Sequence, residues 1–294
     1  MRTQSRGAGI LSGTQTALAP FELHRPTSAD EALQALHQVP TATILAGSTD
    51  LVAQFREGLA PREVIALGRM PDWREIVIDE DALRIGALTT HDTGPRNTVL
   101  RQQLPNFAAA WASIATVRIR SRATLGGNVM ARQNRYEMPL MLASLGAELE
   151  LVGFDGEYRA TPADVWRGES PPEGFLHHVR IPVRDLLLFS YDRSMRPLLT
   201  VALAVRALGS GLQFTATVGS EYRRPATVRL DVDVADIVDV DAEQVGQALS
   251  ARLPEDIGDY AASARYRKRV VAVLIRRQLS SAAGPSDSAG KGAL

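Results

Sequence analysis

The sequence predicts an α+β protein with an alternating front section and a strand-then-helix back section. Three observations predict it. Short apolar runs alternate with helix-like stretches from about residue 20 to residue 186. The second half gives four strand-like segments followed by two helical ones, the order expected of a small α+β domain. Over 294 residues, 45% are hydrophobic and 22% charged, a globular composition with room for two or three packed units.

Taken in chain order, Thr27 and Ser28 followed by Glu31 have the spacing of a capping box opening a helix over EALQAL. TILAG (43–47) is a short apolar run ending in Gly, a buried strand entering a turn, and a short helix from Leu51 to Arg56 follows. EVIAL (63–67) and LRIGAL (83–88) read as strands. Pro105 opens a helix running to about Thr116, and Met138 to Leu145 is another. The strand AELELVGF (147–154) runs into Asp155-Gly156, a hairpin turn. FLHHVRIP, LLLFSYDR, LLTVALAVRAL and LQFTATVG are strand-like, with Gly209-Ser210-Gly211 turning between the last two. Helices around 241–251 and 259–279 close the chain. The domain boundary falls near Val183 to Leu188, and there is no internal repeat.

Composition narrows the function classes. Lys plus Arg and Asp plus Glu are each 33, so there is no surplus of cations for nucleic-acid phosphates. The absence of cysteine removes disulfides and the usual thiolate ligation of an iron–sulfur cluster. No apolar run approaches the ~20 residues of a membrane span, and the N-terminus lacks a continuous signal-peptide core. The expectation is a cytoplasmic protein with a flexible extension over 1–19 and a disordered tail over 281–294. There is no HExxH, GxSxG or complete Walker loop, and Gly7-Ala8-Gly9 lacks a Rossmann context. His177 and His178, adjacent in a strand, are expected on opposite faces, a poor arrangement for one metal. Trp73, Trp111 and Trp166 are scattered. Arg265, Arg267, Arg269, Arg276 and Arg277 on the last helix read as a solvated or salt-bridged face. No metal ligand and no acid–base residue is assigned.

Two loops carry glycine where chemistry could follow. In Ala46-Gly47-Ser48-Thr49-Asp50-Leu51 a strand ends and a helix begins, a geometry suited to a pyrophosphate. Such a junction is also ordinary chain punctuation. In Thr124-Leu125-Gly126-Gly127-Asn128, paired glycines permit dihedrals closed to other residues, with hydrogen-bonding side chains on either side. The preceding VRIRSR carries Arg118, Arg120 and Arg122, and a glycine turn after a solvated basic segment explains the same residues.

FELHRPTSADEAL, AGSTDL, LRIGALTT and IRSRATLGGN, with SARYRKRVVAVLIRRQL near the end, occur in an order that resembles the FAD-binding (medium) subunit of molybdenum hydroxylases. This is the carbon monoxide dehydrogenase and xanthine dehydrogenase group, and the resemblance covers roughly residues 20 to 280. It implies an FAD domain of the vanillyl-alcohol oxidase or p-cresol methylhydroxylase type over 20–186, with two α/β subdomains at about 20–75 and 76–186. A small α+β C-terminal domain over 187–280 would follow. By motif, the first FAD loop would be Ile44, Leu45, Ala46, Gly47, Ser48, Thr49, Asp50 and Leu51. The second would be Thr124, Leu125, Gly126, Gly127 and Asn128. Ile114 and Ala115 match positions lining the cofactor, Glu137 stands where the family has Asp, and Leu176 matches a residue near the isoalloxazine.

This chain departs from the pattern at Ser48, where the family usually has a second Gly, and in the basic stretch VMARQNRYEM. Asp192 stands against a lysine of the animal xanthine enzymes, with Arg193 beside it. The implied role is an electron-transfer flavoprotein subunit, an oxidoreductase component passing electrons from clusters on a partner chain through FAD to NAD, oxygen or another acceptor. Implied partners are a large molybdopterin-binding subunit and a small subunit carrying 2Fe–2S clusters. A stand-alone flavin oxidase of the same fold, and a non-catalytic assembly protein that has lost FAD, are the alternatives. Co-purifying partners separate the first, and a colourless folded protein the second.

Overall fold

The computed structural model describes residues 19–167, 173–194, 198–221 and 223–282. All but the last residue of the extension expected over 1–19, Gly7-Ala8-Gly9 within it and most of the tail expected over 281–294 lie outside the described residues. The chain divides after Pro71 into two compact units.

The first unit is a three-stranded parallel sheet, order β1 (Glu22–His24), β3 (Glu63–Ala66), β2 (Thr43–Leu45). Parallel neighbours need crossovers, and α1 (Ala29–Gln38) and α2 (Thr49–Arg56) supply them. Ser28 caps α1 by accepting the Glu31 N–H at 3.2 Å. The Glu31 carboxylate reaches back to the Thr27 N–H at 2.7 Å, one residue earlier than a capping box requires. Val64, Ile65, Ala32 and Phe55 are buried, and Phe21 stacks at a tilt on Phe55.

The second unit holds a five-stranded antiparallel sheet, order β4 (Ile76–Asp79), β5 (Ala82–Gly86), β8 (Phe175–Pro182), β6 (Glu148–Gly153), β7 (Gly156–Ala160). Gly156, at φ 107°, makes the expected β6–β7 hairpin turn. Between β5 and β6 run α3 (Thr98–Gln103), α4 (Pro105–Ala112), α5 (Val117–Arg120), α6 (Leu125–Met130) and α7 (Glu137–Ser144). The helix expected from Pro105 to about Thr116 stops at Ala112, because the backbone turns left-handed at Ala115. A short α8 (Pro162–Trp166) follows β7.

A four-stranded antiparallel sheet, order β12 (Ala226–Val232), β11 (Gly211–Gly219), β10 (Thr200–Leu208), β9 (Leu186–Arg193), carries α9 (Ala242–Ala251) and α10 (Ala264–Ala282). Alternation along β10 sends its side chains into two cores. Ala202 and Ala204 join Phe107, Trp111, Met141 and the five-stranded sheet. Val201, Leu203 and Val205 join Leu249, Val271 and Ile275 of α9 and α10. Burial on both faces explains why β10 reads as a continuous apolar run. No helix among the described residues is long and apolar enough to cross a membrane.

One arginine of the last helix departs from the expected solvated face. Arg267 is fully buried and forms an ion pair with Asp259 at 2.6 Å. It also donates to the Leu198 carbonyl at 3.1 Å, while Asp259 accepts the Ala261 and Ala262 N–H groups. The pair therefore fixes the turn that launches α10. Arg267→Ala strands a buried carboxylate, and a loss of about 3–5 kcal/mol is expected from the shift of the urea midpoint. A loss below about 1 kcal/mol would mean that the carboxylate finds water instead.

Candidate functional site

The first loop begins where β2 delivers its carboxyl end to α2. Residues 45–51 are half-buried. Ser48, the residue before α2, sits at φ 64° and ψ −1°. The family's second Gly would occupy this left-handed position, which costs an L-residue about 1–2 kcal/mol. The Ser48 hydroxyl donates to the Gly47 carbonyl at 2.7 Å and gives α2 no side-chain cap. Asp50 accepts from Gln54 within the helix at 3.1 Å.

The second loop is the first turn of α6. Thr124 caps it, accepting the Gly127 N–H at 3.1 Å. The Leu125 N–H donates to Thr89 O, the Gly126 N–H to Ala87 O at 2.7 Å, and the Asn128 N–H to Thr124 O. The expectation of special glycine dihedrals is overturned here: neither Gly126 nor Gly127 takes a positive φ. Gly126 is demanded by close approach, since a Cβ there would lie 2.8 Å from Ala87 Cβ. With the amides engaged internally, the polar atom offered by this turn is Asn128 Oδ1, buried and without a hydrogen-bond partner among the described residues.

Ile114 is buried in the main core, while Ala115 is exposed and strained at φ 55°. Arg120 donates to both of their carbonyls, at 3.3 and 2.7 Å. One of the three arginines read as solvated therefore builds this turn. Glu137 begins α7, and its Oε1 accepts the Tyr191 hydroxyl and lies 3.5 Å from Arg193 Nη1. Burial, then the Glu137 charge, pushes the Tyr191 hydroxyl far above the ordinary tyrosine range. Asp192 turns away and pairs with Arg277 of α10. Leu176 lies in the core opposite Leu151.

Residues 19–184 match the family described as the FAD binding domain in molybdopterin dehydrogenase. The chain belongs to that family. The medium chain of carbon monoxide dehydrogenase from Afipia carboxidovorans is 27% identical over 277 residues, 89% of this chain and 96% of that one. Caffeine dehydrogenase subunit beta from a Pseudomonas species is 28% identical over 170 residues, 55% of this chain and 58% of that relative. Carbon monoxide dehydrogenase from Oligotropha carboxidovorans shares the fold, with a TM-score of 0.78 at 24% identity over 92% of this chain and 100% of that chain.

As a member of the molybdopterin dehydrogenase FAD-domain family, the chain has FAD as its cofactor and is a flavoprotein subunit of an oxidoreductase. Two local observations fit that cofactor. The buried Asn128 oxygen lacks the donor that a ligand hydroxyl or amine supplies. The left-handed Ser48 holds the backbone in a conformation that only a structural or binding demand maintains.

Three features escaped the sequence. His91 is buried, and its Nδ1 accepts the Trp111 Nε1–H at 2.6 Å, which puts the ring proton on Nε2. Arg267 gave no signal distinct from its four helical neighbours. The two adjacent histidines do not point apart. Glu150 pairs with His178 and Leu151 with Leu176, so His177 is an extra residue in β8. The bulge turns both rings to one side, with their Nδ1 atoms 2.7 Å apart.

Ser48→Gly relieves the left-handed strain at some cost in unfolded-chain entropy. A net gain of about 0.5–1 kcal/mol in chemical denaturation is expected, with FAD retained. Loss of flavin instead would mean that the hydroxyl itself holds the ligand. His91 is depressed to about 4, by burial first and then by the Arg120 charge. Unfolded, it titrates near ~6.5, so between those values the unfolded chain binds more protons. The stability this group contributes is present above ~6.5 and lost as pH falls through about 4. His178 is depressed to a similar value and acts in the same direction. His91→Gln keeps an acceptor for Trp111 and should make the fall in urea midpoint shallower between about pH 7 and pH 4. An unchanged fall would remove His91 from the account.

Proposed function

We propose that this chain is the FAD-binding electron-transfer subunit of a molybdenum hydroxylase complex. Its partners in this reading are a large molybdopterin-binding subunit and a small subunit carrying 2Fe–2S clusters. Bound FAD supplies the redox chemistry, taking electrons from the partner's clusters and releasing them to NAD, oxygen or another acceptor. What carries the reading is Ser48: the backbone is left-handed where the family's phosphate loop usually has glycine.

The protein's own task is to bind and orient. Ile44 through Leu51 supply the pyrophosphate loop, with Gly47 allowing close approach and Ser48 and Thr49 adding hydroxyl donors. Thr124 to Asn128 form the second loop, where the Asn128 oxygen accepts a donor from the ligand. Glu137 offers Oε2, because Tyr191 and Arg193 both engage Oε1. Ile114 and Ala115 line the cofactor, and Leu176 gives an apolar contact near the isoalloxazine. The absence of Cys accords with clusters on another chain.

The test is to purify the chain alone and together with the proteins encoded beside it, and to record the visible spectrum and metal content. Oxidised-flavin bands with molybdenum- and iron-bearing chains at fixed stoichiometry are expected. A flavin-containing chain that never associates with them would favour the stand-alone oxidase. A colourless, folded chain that takes up no added FAD would overturn both.

A further inference from the structure

The bulge in β8 assembles a group of residues that the flavin reading does not use. His177 and His178 are 5% and 6% exposed, on the face of the five-stranded sheet that carries Glu150, Arg84 and Arg159. Ligand atoms of Glu150, His177 and His178 all lie within 4.8 Å of one another. We propose that these three residues form a site for one divalent transition-metal ion, with Zn2+ as the probe.

The argument starts from protons. His178 Nε2 lies 3.3 Å from the Asp72 carbonyl, which can only accept, so Nε2 carries the proton and His178 Nδ1 is a lone pair. His177 Nδ1, 2.7 Å away, must therefore donate. The empty pair holds one proton between two nitrogens that each serve equally well as metal ligands. An ion seated between the two Nδ1 atoms, with the His177 proton moved to the ring's own Nε2, gives two neutral imidazole nitrogens and a carboxylate oxygen, leaving a position for water. This donor set suits zinc and its neighbours better than calcium or magnesium. The Asp72 carbonyl already plays the outer-sphere part, fixing the His178 ring through its other nitrogen.

Without an ion, Arg84 Nε holds Glu150 at 2.7 Å, and Arg159, which also pairs with Glu148, places Nη2 at 3.3 Å from it. Both guanidinium groups are more exposed than the carboxylate they hold, 32% and 55% against 12%, so they can swing outward as an ion enters. The site also has a mechanical connection. The His177 carbonyl accepts the Ala87 N–H at 2.8 Å, and the Ala87 carbonyl accepts the Gly126 N–H at 2.7 Å. An ion that stiffens the bulge stiffens the backbone beneath the second glycine loop.

The measurement is a Zn2+ titration of the full chain, stripped with chelator, against a chromogenic zinc indicator. Co2+ substitution then reports coordination through its visible absorption. One equivalent should bind, and His178→Gln and His177→Gln should each weaken it about tenfold or more. Arg84→Gln should tighten it, an outcome that misfolding cannot mimic. His24→Gln, in the separate Glu22, His24, Glu63 group, should leave it unchanged. The inference falls if the unaltered chain binds zinc no more tightly than the His177→Gln/His178→Gln double variant, or if His24→Gln removes the binding. None of these readouts needs bound FAD, so failure here leaves the flavin reading intact.

Discussion

Ala87 makes two backbone hydrogen bonds on which the architecture of the larger unit turns. Its N–H is taken by His177 of the bulged strand, and its carbonyl takes the Gly126 N–H at the start of α6. One residue just past β5 thus ties the sheet to the second glycine loop. The tie works only at short range, so position 126 excludes a Cβ. Thr124 faces Thr90 in an isolated bridge, and Leu125 donates to Thr89, extending the seam on either side. The loop is held by a strand rather than by its own conformational preferences, the arrangement that keeps a binding segment in place before its ligand arrives.

Much of this was legible beforehand. The apolar runs of β5, β6, β8 and β10 gave strands because their burial follows their hydrophobicity. The helices opened by Ser28 and Pro105 began where capping chemistry placed them. The four ordered motifs led to the FAD family. What stayed hidden depends on neighbours distant in sequence. α5 is short and largely exposed and β4 buries only Ile76, so neither has a strong period; β12 (ATVRLDV) does alternate, with its apolar residues turned to the core, and its strand went unread all the same. The bulge is invisible to strict alternation, because two residues on one face look the same in sequence as two on opposite faces. Arg267 differs from Arg265 and Arg269 only in what packs above it. Ser48 was identified as the departure, but its sign rested on a dihedral angle that sequence does not carry.

Charge in this protein is used locally. A chain with no net charge buries a guanidinium at Arg267, spends Arg120 on two carbonyls, and commits Arg206 to the carbonyls of Leu145, Pro182 and Arg184. These arginines work as rigid multiple donors that close turns, a task for which lysine lacks the geometry. The basic character of VRIRSR is therefore partly structural.

The four-stranded sheet has a consequence for how the molecule comes apart. Because β10 is wall to two cores, neither can lose its packing without uncovering the other's floor. Local opening on one side raises the energy of the opposite side, and independent fraying is suppressed. The region after Pro71 should therefore melt in a single cooperative transition despite holding two hydrophobic clusters. The glycine loop on α6 and the helices α9 and α10 would then share one melting temperature, though no residue of one need touch the other.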